Sequence, residues 1–339
     1  MKHTSNGRTR LHEMRIACVG LMMSCGLSVS FAEQANHLLR IGWMSRGGPS
    51  PSDATMDAFR KGMEELGHIE GKSFVIEPKY AHGQSNIMGQ QAAELEAAGV
   101  DAIVAGPYEA AAAAKLTTKH VPIVMTPGLD PSATGVIANL ARPEGHITGI
   151  TEVRPDLTPH RFMLLQKLVP GLKQVGILWQ KNTLTESTIA QTLALTQQAA
   201  SASGTAIKLY QITAPADFDG AFEEMVNDKV DGFIVLTSPM FGMQRQQIVS
   251  RATRLKLPVV YEWRSFVQEG GLLSYGPDVL DVYRRAASII DKLGRGIKPA
   301  DIPVEAPTLI EMAINLQNAK ELGLSIPEAW QRDARLLVR

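Results

Sequence analysis

Short apolar runs alternate with amphipathic stretches of helix length along most of the chain. Residues 38–44 and 74–80 have the length and composition of strands, and apolar residues recur at helical spacing between them, from 56 to 66. Ser52 or Asp53 is a suitable N-cap for that helix. Because strand–helix alternation of this kind is typical of a parallel sheet covered on both faces, the pattern predicts an α/β fold.

The same pattern occurs a second time. Residues 40–44 have a counterpart in residues 174–179, which begin 134 positions later, and the strand pair within 101–124 has a counterpart within 231–260. Any two parallel α/β units look partly alike, but similar offsets at both ends of the unit favour two lobes of one topology. We therefore predict two similar doubly wound parallel-sheet lobes joined by a hinge that the chain crosses several times.

The last third of the chain does not begin a third lobe. Residues 278–293 form one amphipathic helix, and the apolar runs at 302–304 and 312–315 are short. Such a segment suits a chain that returns to each lobe in turn. We predict an N-terminal lobe at residues 33–150 with a return from about 272–305, and a C-terminal lobe at 151–271 with a return from about 306–339.

The first 32 residues have the order of a secretory signal peptide. Four basic residues lie before or at the start of a 14-residue apolar run at 16–29, and small residues stand at both ends of Ser30-Phe31-Ala32. The apolar run is shorter than the ~20 residues of a membrane span, so we favour removal of residues 1–32 over a retained anchor helix. We expect a periplasmic protein.

The two cysteines, Cys18 and Cys25, lie within this segment. A lipid on Cys25 is an alternative, but Met22 is a poor match to the usual lipidation motif, and cleavage after Ala32 is the better interpretation. The mature chain then has no thiol, so that neither a disulfide nor cysteine chemistry is available to it.

Charge and motif content exclude several functional classes. The chain has 34 basic and 34 acidic residues, and loss of four and one with the signal leaves 30 against 33. The sequence has no basic stripe of the kind that would indicate a nucleic-acid partner. No apolar run after the first 32 residues has the length of a membrane span. The six remaining histidines are scattered without metal-ligand spacing, and neither a nucleophile elbow nor a Gly-x-Gly-x-x-Gly loop is present. We expect no metal, no cofactor and no catalysis.

Several motifs together resemble one family. They are Phe59-Arg60-Lys61-Gly62, Leu129-Asp130-Pro131, residues 140–149 (LARPEGHITG), residues 261–266 (YEWRSF), residues 270–276 (GGLLSYG) and Ile314-Asn315-Leu316. The chain from about 38 to 327 is similar to ABC-transporter substrate-binding proteins related to tryptophan and aromatic amino-acid binding components. This resemblance implies a type I periplasmic-binding-protein fold. Tyr108-Glu109 and residues 180–183 depart from the family pattern, so the resemblance alone does not give the ligand.

Ligands of open parallel sheets bind beyond the carboxyl ends of the strands, which gives the candidate ligand-binding residues. In the first lobe they are Ser45, Arg46, Gly106, Tyr108, Thr126 and Asp130, in the second Trp179, Asn182, Ser238, Tyr261, Glu262 and Trp263, and at the crossings Glu152 and Tyr275.

Several of these candidates have a structural alternative. Asp130 is equally suited to be a helix N-cap, and the aromatic pair Tyr261 and Trp263 would also serve interlobe packing. Two aromatics beside the carboxylate of Glu262 nevertheless suit a pocket that stacks a ring. Arg46 follows a strand end and has the geometry to hold an anion.

These observations predict a receptor rather than an enzyme. We expect a monomer that binds a small polar or aromatic, amino-acid-like solute between its lobes, closes about its hinge, and delivers the solute to the membrane permease of an ABC importer. The alternatives are a periplasmic ligand-sensing partner of a membrane signalling protein and an α/β enzyme, for which no nucleophile–base pair is found.

Overall fold

The computed structural model describes residues 37–50, 53–128, 130–236 and 238–339. Leu39–Arg339 forms one compact unit. The signal peptide, its cleavage site after Ala32 and the lipidation alternative at Cys25 lie outside the described residues.

The first lobe is built on a five-stranded parallel sheet with the strand order β2-β1-β3-β4-β5. Its strands are β1 (Leu39–Ser45), β2 (Phe74–Tyr80), β3 (Ala102–Gly106), β4 (Ile123–Gly128) and β5 (Ile147–Thr151), and its helices are α1 (Ala54–Glu65), α2 (Met88–Ala97) and α3 (Tyr108–Thr117). All five residues of β3 and of β5 are buried, as expected for strands covered on both faces.

The second lobe is built on a seven-stranded sheet with the order β12-β11-β10-β9-β8-β6-β7. It contains α4 (Leu157–Leu168), β6 (Gln174–Gln180), α5 (Glu186–Ser201), β7 (Ala206–Ile212), α6 (Phe218–Asn227), β8 (Gly232–Val235), α7 (Pro239–Met243), α8 (Arg245–Arg254), β9 (Val259–Tyr261), α9 (Arg264–Gln268) and β10 (Leu273–Pro277), and later β11 (Ile310–Asn315), α11 (Leu316–Glu321), α12 (Glu328–Asp333) and β12 (Leu336–Val338). Only the β10–β11 pair is antiparallel among the described strand pairs.

The chain passes between the lobes three times. It leaves the first lobe after β5, returns after β10 as helix α10 (Val279–Gly294), and enters the second lobe again at β11. Before this last crossing, Glu305 forms a parallel bridge with Ile150 at the edge of the first sheet. The predicted class, two doubly wound lobes joined by a multi-crossing hinge, is confirmed.

Helix α10 packs on the first lobe directly against α1. At Gly62 a β-carbon would lie 2.1 Å from the carbonyl oxygen of Arg284, so only glycine allows the two helices to approach so closely. Trp43 packs between Phe59 of α1 and Tyr283 of α10, with ring centroids 5.5 and 5.4 Å away. The packing of α10 therefore ties the segment after the second crossing to the core of the first lobe.

Candidate functional site

The two lobes face each other through the carboxyl ends of their strands. Residues that follow β3, β4 and β5 of the first lobe line the same space as residues that follow β8 and β9 of the second lobe. Helix N-termini lie at the same ends, as in other open parallel sheets. We call this space the cleft, and it contains two cavities.

The main cavity has a volume of about 350 Å³. Its apolar wall consists of three prolines at strand or helix ends (Pro107, Pro127 and Pro239), the rings of Tyr108 and Trp263, and Pro277, Val279 and Leu280 at the second crossing. Glu152, Arg264 and Glu311 are its charged residues, and Thr55, Ser265 and Gln268 add polar groups. A largely apolar cavity of this size with a few polar groups has the character of a small-molecule site.

A small cavity of about 30 Å³ lies on the other side of the first crossing. It is lined by Asp130, Glu152, Val153, Arg154, Pro155, Thr158, Arg161, Leu184, Thr188, Thr192, Leu236 and Glu262. This space is enough for a water molecule but not for an amino acid. Glu152 lines both cavities and therefore connects them.

Glu152 is the most perturbed acid of the cleft. It is 5% exposed, and its Oε1 has no hydrogen-bond partner. Burial raises the pKa of Glu152 well above its usual range, and the neighbouring Glu262 carboxylate raises it further, while the nearby Trp263 indole has a smaller, opposite effect. A buried carboxyl group with one unpartnered oxygen favours a cationic donor in the cleft.

Arg161 and Glu262 form a buried ion pair at the small cavity. The distance between Arg161 Nη2 and Glu262 Oε1 is 3.3 Å, and the two side chains are 2% and 6% exposed. Arg161 Nε also donates to the carbonyl oxygen of Tyr275 at 2.7 Å. Its guanidinium therefore lies beside Glu262, whereas no ion pair of Glu152 is found among the described residues.

Unpartnered polar atoms concentrate around the cleft. Among the described residues, the buried side-chain atoms without a hydrogen bond are Gln91 Oε1, Glu109 Oε2, Thr126 Oγ1, Glu152 Oε1, Arg161 Nη2, Trp179 Nε1 and Trp263 Nε1. All except Gln91 belong to strand ends, to the residues that follow them, or to the cavity lining. Since buried polar groups are normally hydrogen-bonded, this distribution indicates a surface built to receive a polar ligand.

Asp130 connects the lobes directly. Its Oδ1 accepts hydrogen bonds from the backbone of Ser132 and Ala133 in its own lobe, at 3.0 and 3.3 Å. Its Oδ2 accepts from the Thr188 hydroxyl at 2.8 Å and from the Thr185 backbone at 3.2 Å, both at the start of α5 in the other lobe.

Arg46 lies between Glu109 of its own lobe and Met243 of the other lobe. Its Nη1 is 3.7 Å from Glu109 Oε1, and its Nη2 contacts Met243 Sδ. Neighbouring Ser45 ends β1, and its hydroxyl accepts from the Gly47 backbone. Arg46 therefore bridges the lobes without lining either cavity.

Gly106 and Thr126 shape the lobe-one side of the cleft. A β-carbon at Gly106 would lie 2.2 Å from Tyr283 Oη, so the close approach of α10 requires glycine there. Thr126 is fully buried next to Gly106, and its backbone oxygen accepts from Tyr283.

Tyr261 and Tyr275 do not line either cavity. The Tyr261 ring is buried in the core of the second lobe and stacks on Phe266, with centroids 4.7 Å apart. The Tyr275 ring faces His160, at 6.1 Å between centroids. β9 ends at Tyr261, and Trp263, two residues further on, packs half-buried against the same core and also lines the main cavity.

The remaining predicted residues of the second lobe have local roles. Ser238 caps α7 by accepting from the Phe241 backbone, and it donates to Gln180. Asn182 is exposed and has a left-handed backbone conformation, with φ 65°. Trp179 is the penultimate residue of β6 and packs on the core of its lobe.

The sequence prediction missed Arg161 and the α10 residues Val279 and Leu280. A signal for Arg161 exists, because it is four residues after Leu157 and four before Leu165 and therefore lies on the buried face of α4. A basic residue on an apolar helix face is rarely buried without a partner. Val279 and Leu280 carry no such signal, because their position at the cavity depends on where the chain crosses back to the first lobe.

Among the described residues, no group of three or more His, Cys, Asp or Glu side chains could hold a metal ion. No described helix has the length and apolar character needed to cross a membrane.

Two lobes with a cleft at their strand ends define the class of two-lobed solute-binding proteins. Within this class, the chain belongs to the ABC transporter substrate binding protein family, whose sequence profile matches residues 48–336. The predicted family and the absence of a catalytic role agree with this assignment.

Three relatives illustrate the similarity. A tyrosine-binding protein of Clostridioides difficile is 25% identical over 273 residues, which cover 80% of this chain and 77% of that protein. An ABC domain from Streptococcus pneumonia in complex with L-Trp is 23% identical, with a TM-score of 0.73 over 89% of this chain and 100% of that one. The ligand-free, open structure of a substrate-binding protein with adhesive properties from Clostridium difficile is 22% identical, with a TM-score of 0.69 over 89% and 99%.

Proposed function

We propose that this protein is the periplasmic receptor of an ABC importer for an amino acid with an aromatic or large apolar side chain. The observation that carries the proposal is the unpartnered Oε1 of Glu152, which lies in the cleft wall. An ammonium group at this oxygen would supply the missing charge-assisted hydrogen bond and favour the ionised carboxylate.

The main cavity supports an apolar body next to this ammonium group. Tyr108 and Trp263 offer aromatic faces, and Pro107, Pro127 and Pro239 offer flat apolar surfaces around them. Rings prefer such surroundings because they bury a large apolar area and stack at low entropic cost. The tyrosine-binding relative and the relative solved with L-Trp make aromatic amino acids the first ligands to test.

Donors near Glu152 are available for the ligand's carboxylate. Thr126 Oγ1 is buried and lacks a hydrogen-bond partner, and Arg161 Nη2, although 3.3 Å from Glu262 Oε1, makes no hydrogen bond. A guanidinium nitrogen and a hydroxyl group both donate to carboxylates. We propose that these two groups, together with Glu152, recognise the two charged ends of one zwitterion.

The transport role follows from the family and from the predicted export of the chain. A solute held between two lobes is contacted by both lobes only when they close, so binding shifts an open–closed equilibrium. We propose that the closed monomer is the form that a membrane permease recognises, after removal of residues 1–32.

A thermal-shift screen tests the ligand class. L-Tyrosine, L-tryptophan, L-phenylalanine and L-leucine are compared with the deaminated acids of tyrosine and tryptophan, which lack the ammonium group. A ligand at 100 times its Kd stabilises the folded protein by about 2.7 kcal/mol. We expect stabilisation by one or more of the amino acids and none by the deaminated acids. Equal stabilisation by both sets, or by neither, would contradict the proposal.

A further inference from the structure

The Asp130 carboxylate has no capacity left for a ligand. A carboxylate offers about four acceptor sites, and four protein donors already fill them. Oδ1 accepts from the backbone N–H groups of Ser132 and Ala133, while Oδ2 accepts from the Thr185 N–H and the Thr188 hydroxyl. Although Asp130 lines the small cavity, its oxygens are used by the protein itself.

The two oxygens differ in what they connect. The Oδ1 bonds lie within one turn of the first lobe and do not depend on the position of the second lobe. The Oδ2 bonds cross the cleft to the first turn of α5, where Thr185 is the N-cap and its hydroxyl accepts from the Thr188 backbone at 3.0 Å. Only the Oδ2 bonds are lost when the lobes separate.

We propose that Asp130 is an interlobe latch, a positioning residue that stabilises the closed lobes through Thr185 and Thr188 without contacting the ligand. This inference rests on the proposed function in one respect, namely that closure retains the solute.

The environment favours such a latch. Asp130 is 3% exposed, so water competes little for its charge. The negative carboxylate faces the N-terminus of a 16-residue helix, where the helix dipole favours an anion. Since the latch acts only in the closed form, its loss raises the ligand's dissociation rate more than it lowers the association rate.

The test compares three single variants of the full-length protein. Thr188→Val removes one latch donor and keeps the side-chain shape, whereas Asp130→Asn keeps an oxygen for the turn of the first lobe and replaces the other with a non-accepting amide nitrogen. Thr196→Val is the matched control, because its hydroxyl donates to the Thr192 carbonyl within the same helix and does not reach the first lobe.

Two measurements are made on each variant: the radius of gyration by small-angle scattering, with and without L-tryptophan or L-tyrosine, and the dissociation rate of that amino acid by stopped flow. We expect Thr188→Val and Asp130→Asn to speed dissociation about tenfold, the effect of one charge-assisted hydrogen bond, and to enlarge the radius. Thr196→Val should resemble the wild type. The double variant should be no worse than the more affected single variant, because both remove the same contact.

Each outcome decides the proposal. Unchanged dissociation and radius in folded Thr188→Val and Asp130→Asn would overturn the latch. If Asp130→Asn fails to fold, Thr188→Val, which alters only the second lobe, still decides it. If neither amino acid binds the wild type, the proposed ligand class fails, yet the radius without ligand still reports whether the latch exists.

Discussion

The carboxyl groups of Glu152 and Glu262 lie close together in the cleft, and a basic side chain, Arg161, is bonded to Glu262 but not to Glu152. Both residues are almost fully buried. The Glu262 charge contributes to the raised pKa of Glu152. In the proposed function an ammonium group binds the ionised form of Glu152, whereas burial favours its neutral form, so ligand affinity and protein stability make opposite demands on Glu152.

Replacement of Glu152 by Gln tests this conflict. The amide keeps the shape but removes the negative charge, so we expect affinity for the amino acid to fall about 10- to 100-fold, as for loss of a hydrogen bond to a charged group. Since the cost of ionising a buried carboxyl group at this position is removed, the free energy of unfolding should rise, by about 1–3 kcal/mol at neutral pH. Calorimetric titration and chemical denaturation measure the two effects. Lower affinity together with lower stability would indicate a structural role instead.

The pH dependence follows from the same raised pKa. Glu152 is neutral at low pH, and an ammonium ligand prefers the ionised carboxylate, so affinity should increase as the pH rises above about 4.5 through the raised pKa. Stability should change in the opposite direction, because a raised native pKa contributes stability at low pH that is lost as the carboxyl group ionises. Titration calorimetry and urea unfolding between pH 5 and pH 8, both conducted also on Glu152→Gln, isolate the contribution of this residue.

Much of the fold could be predicted because its signals are local. Asp53, one of the two proposed N-caps, accepts hydrogen bonds from the Thr55 and Met56 backbones at the start of α1. The repeated strand–helix pattern predicted the two lobes. Strand ends also placed Tyr108, Glu152 and Trp263 at the cavity, although their contact with a ligand stays a prediction.

The rest of the site depends on contacts that no local pattern encodes. Tyr261 and Trp263 are both aromatic and both pack on the core of the second lobe, but Tyr261 is fully buried there, whereas Trp263 is half-buried and also lines the main cavity. Asp130 was expected to cap or to bind a ligand. Its contact with Thr188 joins positions 58 residues apart and arises only from the approach of the lobes.

Trp263 and Trp43 should respond differently to truncation. Trp263 is half-buried at the main cavity and packs on Phe266, so Trp263→Ala should lower affinity about tenfold or more and cost less stability than truncation of a fully buried tryptophan. Trp43 is 2% exposed in the first lobe's core, and Trp43→Ala should cost about 3–5 kcal/mol of stability. Melting temperature and calorimetric affinity, measured together, separate the two roles. Unchanged affinity in folded Trp263→Ala would exclude it as a ligand contact.

Export gives a prediction about the N-terminus. The order of basic, apolar and small residues predicts cleavage after Ala32, so the protein recovered from the periplasm should begin at Glu33. Intact mass and N-terminal sequencing measure this directly. Ala32→Arg, which removes the small residue at the site, should leave the precursor uncleaved. A chain that keeps Met1, or one with a lipid on Cys25, would contradict the prediction.

Removal of one charge of the Arg161–Glu262 pair should lower the free energy of unfolding more than removal of both charges. Arg161→Met removes the guanidinium that lies 3.3 Å from the buried Glu262 carboxylate, so the free energy of unfolding should fall by about 3–5 kcal/mol. Glu262→Gln in the same chain removes the buried negative charge as well and should restore much of that loss, because the cost comes from burying that charge without the guanidinium and not from the missing attraction. Urea denaturation of the wild type, both single variants and the double variant gives the coupling free energy. Equal losses in Arg161→Met and in the double variant would show instead that the guanidinium stabilises the fold mainly through its bond to the Tyr275 carbonyl.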